Sequence, residues 1–196
     1  MMRNWLVVLV VGLLFGCSRS VLDYQAEQPE LKLEQFFQGS GRAYGVLQDW
    51  RGRQTLRFHA DLCGVWQQNR GDLYEVFYFS DGRVDYRHWQ LQLHADGRVS
   101  GTAHDVMGEA SGQLAGNSLY WEYTLRIPYQ NDTMDVRVKD WMYLVTPQQI
   151  INRTSLHKFG VKVADLTLSL QQLNPEADCS DLRQQLQQLA AGNEAA

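Results

Sequence analysis

The stretch FYFSDGRVDYRHWQLQL, residues 77–93, gives the clearest indication of the fold. Two arms rich in aromatic and aliphatic residues flank Asp81-Gly82, a dipeptide typical of the tight turn in a β-hairpin. In the second arm, Trp89, Leu91 and Leu93 share one face, opposite a histidine and two glutamines. Alternation with a period of two indicates a strand with one buried face, so this stretch predicts two antiparallel strands.

The same pattern recurs along the chain. In residues 119–127 the apolar side chains again share one face, and residues 162–170 repeat the alternation. Turn signals occur at Arg51-Gly52, Asp81-Gly82, Asp96-Gly97, Gly116-Asn117 and Asn131-Asp132. Their spacing is wider than the roughly 8–12 residues of a small sandwich. The stretch MGEASG, residues 107–112, is expected to add a bend between two strands. We therefore predict an all-β, antiparallel up-and-down barrel, lipocalin-like, of about nine or ten strands, with a short C-terminal helix near Ser180.

Length and composition restrict the class of protein. The chain has 196 residues, 44% of them hydrophobic and 20% charged, which fits one globular domain and not a disordered chain. Its net charge of −4 argues against a nucleic-acid partner, because nucleic acid requires a basic face.

The first seventeen residues predict an export signal. Arg3 precedes an apolar run over residues 5–15, which is shorter than the about 20 residues of a bilayer-spanning helix. The run ends in LLFGC, residues 13–17, which resembles the lipobox of bacterial lipoproteins and implies a lipidated Cys17. Ser18 stands where aspartate would act as a retention signal, which implies the periplasmic face of the outer membrane. The alternative is an ordinary cleaved signal with an incidental cysteine.

The remaining chain divides into three predicted parts. The polar residues 18–35 predict a tether, residues 36–171 the barrel and residues 172–196 a polar tail that includes the helix. Cys63 and Cys179 are the two cysteines outside the signal. In an oxidising compartment they could form a disulfide, and two free buried thiols are an equal alternative.

Charged residues interrupt two predicted strand faces. Asp140 interrupts an apolar row, and Asp105 ends a row of small residues. A buried ion must be paired or neutralised, and Arg153 and Lys158 are the nearby cations. We expect either a structural ion-pair cluster or the polar end of an apolar cavity that holds a carboxylate or phosphate. The candidate ligand-binding residues are Asp105, Trp121, Tyr123, Asp140, Met142, Arg153 and Lys158.

Two longer stretches, residues 101–128 and 140–170, resemble a known family. The resemblance rests on Asp105 with the run GEA, the turn Gly116-Asn117, Trp121, the triplet DWM, Asn152-Arg153 and the triplet KFG, and it covers roughly residues 36–171. The family comprises bacterial lipoproteins catalogued as domain of unknown function 3833. It implies an envelope lipoprotein with a lipocalin-like barrel and no established activity, although the lipocalin Gly-x-Trp motif is not evident.

These observations favour a binding module over an enzyme. We predict a lipoprotein anchored through Cys17, whose barrel binds a small amphiphile such as a fatty acid or lipid. The alternative is a structural or assembly lipoprotein with a filled barrel and an unknown protein partner. The chain has no GxSxG, P-loop, HExxH or CxxC motif, so we predict no catalytic residue, metal ligand or cofactor. An enzyme that uses Asp105 or Asp140 as a base ranks third.

Overall fold

Ten antiparallel strands form one closed barrel in the computed structural model, which describes residues 19–194. Each strand pairs with the next along the chain, and the first pairs with the last. The predicted up-and-down barrel is therefore confirmed. The strands are β1 Gly39–Asp49, β2 Gln54–Gln67, β3 Arg70–Phe79, β4 Val84–Leu93, β5 Arg98–Thr102, β6 Ala110–Ala115, β7 Ser118–Tyr129, β8 Asp132–Thr146, β9 Gln149–Lys158 and β10 Val161–Asn174.

The hairpin turns lie at or beside the positions that the sequence predicts. Asp81-Gly82 connects β3 to β4, and Gly82 has φ +89°, a left-handed conformation that glycine adopts without steric cost. Gly97, between β4 and β5, has φ +78° and so also adopts the left-handed conformation. The predicted bend at 107–112 lies where the β5–β6 connection ends and β6 begins.

The chain before β1 closes one end of the barrel. A short helix, α1 Leu33–Phe36, brings Leu31, Leu33, Phe36 and Phe37 into the barrel core, each of them at most 7% exposed. The Leu31 N–H donates to the carbonyl of Gly116, in the hairpin between β6 and β7 (2.8 Å). We call this end the closed end.

The preceding residues also pack on the barrel. A 3₁₀ turn, Val21–Tyr24, lies against β6 and β7, and the Tyr24 ring contacts Trp141 and Tyr143 at centroid distances of 6.0 and 5.7 Å. From residue 19 onward, the segment expected to be a tether is held against the barrel. The sequence predicted a tether because the apolar residues of this segment are few and widely spaced.

A disulfide joins Cys63 on β2 to Cys179, which directly precedes α2 Ser180–Glu194. The helix packs across the outer face of β2, β3 and β4, where Leu186 and Tyr74 are buried together with the bridge. The predicted C-terminal helix is therefore present, and it lies on the barrel.

The predicted signal peptide, residues 1–17, and the lipidation site Cys17 lie outside the described residues. Within residues 19–194, the helices are too short or too polar to cross a bilayer.

Candidate functional site

The inward apolar side chains of the barrel differ in how far they are buried. Near the closed end, the inward side chains of Val99, Leu119 and Ile150 are at most 3% exposed. Toward the opposite end, which we call the mouth, inward apolar side chains remain only partly buried: Phe77, Leu125, Ile127, Met134 and Leu156. Part of the apolar lining near the mouth is therefore in contact with solvent.

The rim of the mouth carries exposed apolar side chains. Every connection at this end has one within it or directly beside it: Trp50, Val84, Met107, Tyr129, Phe159 and Val161. Phe159 is 93% exposed and Trp50 is 65% exposed. Aromatic residues at a boundary between water and an apolar phase are typical of surfaces that meet amphiphiles.

An ion cluster lies inside the barrel, beside the apolar wall. Arg87 on β4 donates from Nε and Nη2 to both carboxylate oxygens of Asp105, at 2.6–3.0 Å. Glu75 on β3 lies opposite Arg87 in the strand register, with Oε2 3.9 Å from Nη1. That Glu75 oxygen is buried and accepts no hydrogen bond from the described residues. The side chains of Glu75, Arg87 and Asp105 are 12%, 17% and 20% exposed.

A second buried carboxylate lies on the neighbouring wall. Asp140 on β8 is 5% exposed and accepts hydrogen bonds from the Asn152 amide and from the Thr154 hydroxyl, the latter at 2.9 Å. Both donors face inward from β9, where register places Thr154 directly beside Asp140. These neutral donors replace the cation that the sequence suggested for Asp140.

Burial shifts the pKa values of the interior acids upward. It raises the pKa of Glu75 to about 7, against the attraction of Arg87, and the charges of Asp105 and Asp140 add to the rise. Burial likewise raises the pKa of Asp140 to about 6, although the hydrogen bonds from Asn152 and Thr154 oppose the shift. Two interior carboxyl groups can therefore change protonation near neutral pH.

Aromatic rings separate the ion cluster from the closed end. Trp89 meets Trp121 and Tyr123 edge to face, at centroid distances of 5.7 and 5.4 Å. Burial and the charge of Asp140 raise the pKa of Tyr123 far above its usual value, so the phenol stays neutral. Met142 faces the same interior from β8 and packs against the core.

The predicted site residues divide into two groups. Asp105, Trp121, Tyr123, Asp140 and Met142 lie inside the barrel, as their strand positions suggest. The two predicted cations do not join them.

Arg153 is exposed on the outer face of β9, because its neighbours Asn152 and Thr154 face inward and strand residues alternate. Lys158 ends β9 at the mouth and donates to the backbone carbonyl of Asp135 (2.7 Å). The expected ion pairs between these cations and the interior acids are therefore wrong.

Sequence reasoning missed Arg87 and Glu75, the central cation and its neighbour. A signal existed for both: Arg87 lies two residues before Trp89 and shares its face, and Glu75 lies between Leu73 and Phe77 on the inward face of β3. Each is a charge within an apolar row, which is the criterion that identified Asp140.

Inside the barrel, a small group of charged side chains is surrounded by apolar side chains. It combines three carboxyl groups with one guanidinium, which is already bonded to Asp105. Among residues 19–194, no cluster of histidine, cysteine and acidic residues is arranged to hold a metal ion. The arrangement is suited to the orientation of a polar head group, and it lacks a paired nucleophile and base.

The family model described as "Protein of unknown function (DUF3833)" matches residues 11–172 of the chain. No protein among the curated sequences matches this chain.

Two solved structures share the fold. The S-type phycobiliprotein lyase CPES from Guillardia theta has 8% sequence identity and a TM-score of 0.51, over 74% of this chain and 94% of that one. A DUF3598-family protein with unknown function from Nostoc punctiforme has 12% identity and a TM-score of 0.52, over 76% of this chain and 51% of that one. The chain therefore spans about half the length of the second structure. At such identities the likeness concerns the barrel alone.

Proposed function

We propose that the barrel of this chain, which belongs to the DUF3833 family, is a binding module for a small amphiphile such as a fatty acid or lipid. The observation that carries the proposal is the partly exposed apolar lining near the mouth. This lining lies beside a cluster of ionisable groups inside the barrel.

The apolar part of a ligand would lie against the inner wall of the barrel near the mouth. Phe77, Leu125, Ile127 and Leu156 face the interior and stay partly exposed, so an alkyl chain there would remove apolar surface from water. Each buried methylene contributes about 0.8 kcal/mol, so a chain of several carbons gives measurable affinity. The rim residues Trp50 and Phe159 extend the same apolar path to the outside.

The polar end of the ligand fits the ion cluster. Glu75 Oε2 accepts no hydrogen bond within residues 19–194, so a hydroxyl, amine or protonated acid could bond to it. Arg87 lies beside this oxygen and would attract an anionic oxygen of the ligand.

The proposal also includes the cellular location of the protein. We infer that Cys17 is lipidated and holds the barrel at the periplasmic face of the outer membrane. Support comes from the apolar run over residues 5–15, which ends at this cysteine. Several acyl chains on one residue would give stable anchoring.

Ligand binding can be tested with a dansylated long-chain fatty acid, added to the full chain carrying Cys17→Ser. We expect a saturable blue shift of the dansyl emission, and displacement of the probe by the unlabelled fatty acid. Leu125→Trp fills the interior near the mouth and should weaken binding of the probe by at least about tenfold. Thr124→Trp, one residue earlier and on the outer face, is the matched control and should bind as the parent does.

The outcomes separate the alternatives. Unchanged binding by Leu125→Trp would place the probe elsewhere on the protein, and equal weakening by both variants would show no dependence on the interior; either result contradicts an interior site. Failure of the parent to bind the fatty acid or a lysophospholipid would favour a filled barrel that serves a structural role.

A further inference from the structure

A basic groove lies on the outer face of the barrel, away from the mouth. It crosses β7, β8 and β9 and has a volume of about 580 Å³. Its basic members are Arg19, Lys139 and Arg153, and its aromatic members are Tyr120, Trp141 and Tyr143.

The three cations surround one indole ring. The Arg19 guanidinium carbon lies 4.3 Å from the centre of the Trp141 ring. Arg153 is directly opposite Trp141 in the β8–β9 register, and Lys139 lies two residues before Trp141 on the same face. Directly opposed and diagonal neighbours on one sheet face are about 5–8 Å apart, so the three positive charges are close together.

These cations lack the acidic partners that neighbouring cations have. Arg19, Lys139 and Arg153 are exposed, and none forms an ion pair with the residues that the structure describes. Two acids lie at the groove, and each already pairs with another cation. Asp165 lines the groove and accepts from Lys162 at 2.6 Å, and Glu122, which is opposite Lys139 in the β7–β8 register, accepts from Arg137 at 2.9 Å. With Arg137 and Lys162 included, five cations stand against these two acids, so this surface carries a net positive charge on a chain whose net charge is −4.

The groove also lies where the described chain begins. Arg19 lies against Trp141, and Cys17 is only two positions earlier in the sequence, at most about 7 Å of extended chain. An acyl chain on Cys17 would keep this face of the barrel within reach of the bilayer surface.

We propose that the basic groove docks on an anionic phospholipid surface. The three cations would contact lipid phosphates, while Trp141 and the two tyrosines lie at head-group depth. The side of the barrel, and not its mouth, then faces the anchoring membrane. The orientation rests on the lipidation that the proposed function includes, whereas the preference for anionic lipid rests on the groove alone.

The test uses the full chain with Cys17→Ser, so that no acyl anchor contributes. Binding is measured by cosedimentation with vesicles of phosphatidylcholine alone and of phosphatidylcholine with an equal amount of phosphatidylglycerol. The readout is the ratio of the two partition coefficients, because the apolar segment at residues 5–15 contributes to both. We expect a clear preference for the anionic vesicles that weakens as salt rises.

Charge variants then locate the surface. Each basic residue at a membrane surface contributes about fivefold, so Lys139→Gln with Arg153→Gln should lower the ratio by about 25-fold. Arg51→Gln with Arg57→Gln removes two exposed charges from the β1–β2 region, three strands away from β9, and should change the ratio little. Thermal unfolding shows whether each variant is folded.

Two results would overturn the proposal. One is equal binding of the parent to neutral and anionic vesicles, which would leave an acidic protein as the partner for the groove. The other is an equal loss for both double variants, which would reflect overall charge and not this surface. Neither result bears on fatty-acid binding in the interior, which the Leu125→Trp experiment tests separately.

Discussion

Replacing Glu75 with glutamine would show how the buried carboxyl links folding to pH. Burial raises the pKa of Glu75 from 4.5 to about 7 in the folded protein. Between these values the folded state holds a proton that the unfolded state releases. The contribution of Glu75 to stability is therefore fully present below the unfolded pKa and is lost as the pH rises through the folded pKa. The difference between the two pKa values corresponds to about 3 kcal/mol of unfolding free energy.

Urea unfolding of the full chain, with the disulfide intact, measures this effect from about pH 4 to about pH 8. We expect the unfolding free energy of the parent to fall by about 3 kcal/mol more than that of Glu75→Gln, because glutamine does not ionise. Burial also raises the pKa of Asp140 to about 6, so the unfolding free energy of both proteins falls as this group ionises. The exposed Glu109→Gln is the matched control and should follow the parent. Parallel curves for the parent and Glu75→Gln would refute the assignment of a buried, titrating carboxyl.

Three further changes test other parts of the architecture. Asp105→Asn leaves the buried charge of Arg87 without its doubly bonded partner, and urea unfolding should show a loss of about 3 kcal/mol or more. Cys63→Ser releases a loop spanning 116 residues, and the expected loss is about 4 kcal/mol, a value that reduction of the parent should reproduce. Phe36→Ala removes part of the closed end and should cost about 3 kcal/mol, with increased binding of an apolar dye as the second readout. A Phe36→Ala protein with unchanged stability would show that this end is not packed as described.

Much of the barrel was predictable because strand alternation and turn chemistry are local. Period-two patterns placed Asp140 and Trp121 inside, and the register of β7 and β8 agrees. The same alternation placed Trp141 on the opposite face, where the structure has it. Local spacing also indicated the number of strands, since each turn signal marks one corner of the meander.

The charge partners were harder to predict because they depend on contacts between distant strands. Asp105 lies in the β5–β6 connection, and no local rule shows that this connection brings it to Arg87, eighteen residues earlier. Proximity in sequence suggested Arg153 instead. Its own neighbour Asn152 is fully buried, so strict alternation would have placed Arg153 outside.

The chain that closes the barrel base shows the same limit. Leu31 and Phe36 lie in a short polar stretch with no sustained period, and their burial depends on a barrel end that exists only after folding. A local pattern cannot reveal a hydrophobic contact whose other half is assembled from several strands.

The pairing of the first strand with the last has a consequence for biogenesis. Ala43 pairs with Leu170, so the sheet cannot close until residue 170 and the rest of β10 have been synthesised. Until then the nascent chain presents an unpaired edge, and pairing over such a sequence separation is slow. A chaperone that binds the nascent chain would therefore meet an unclosed sheet, and the barrel would close only after the last strand is free to pair with the first.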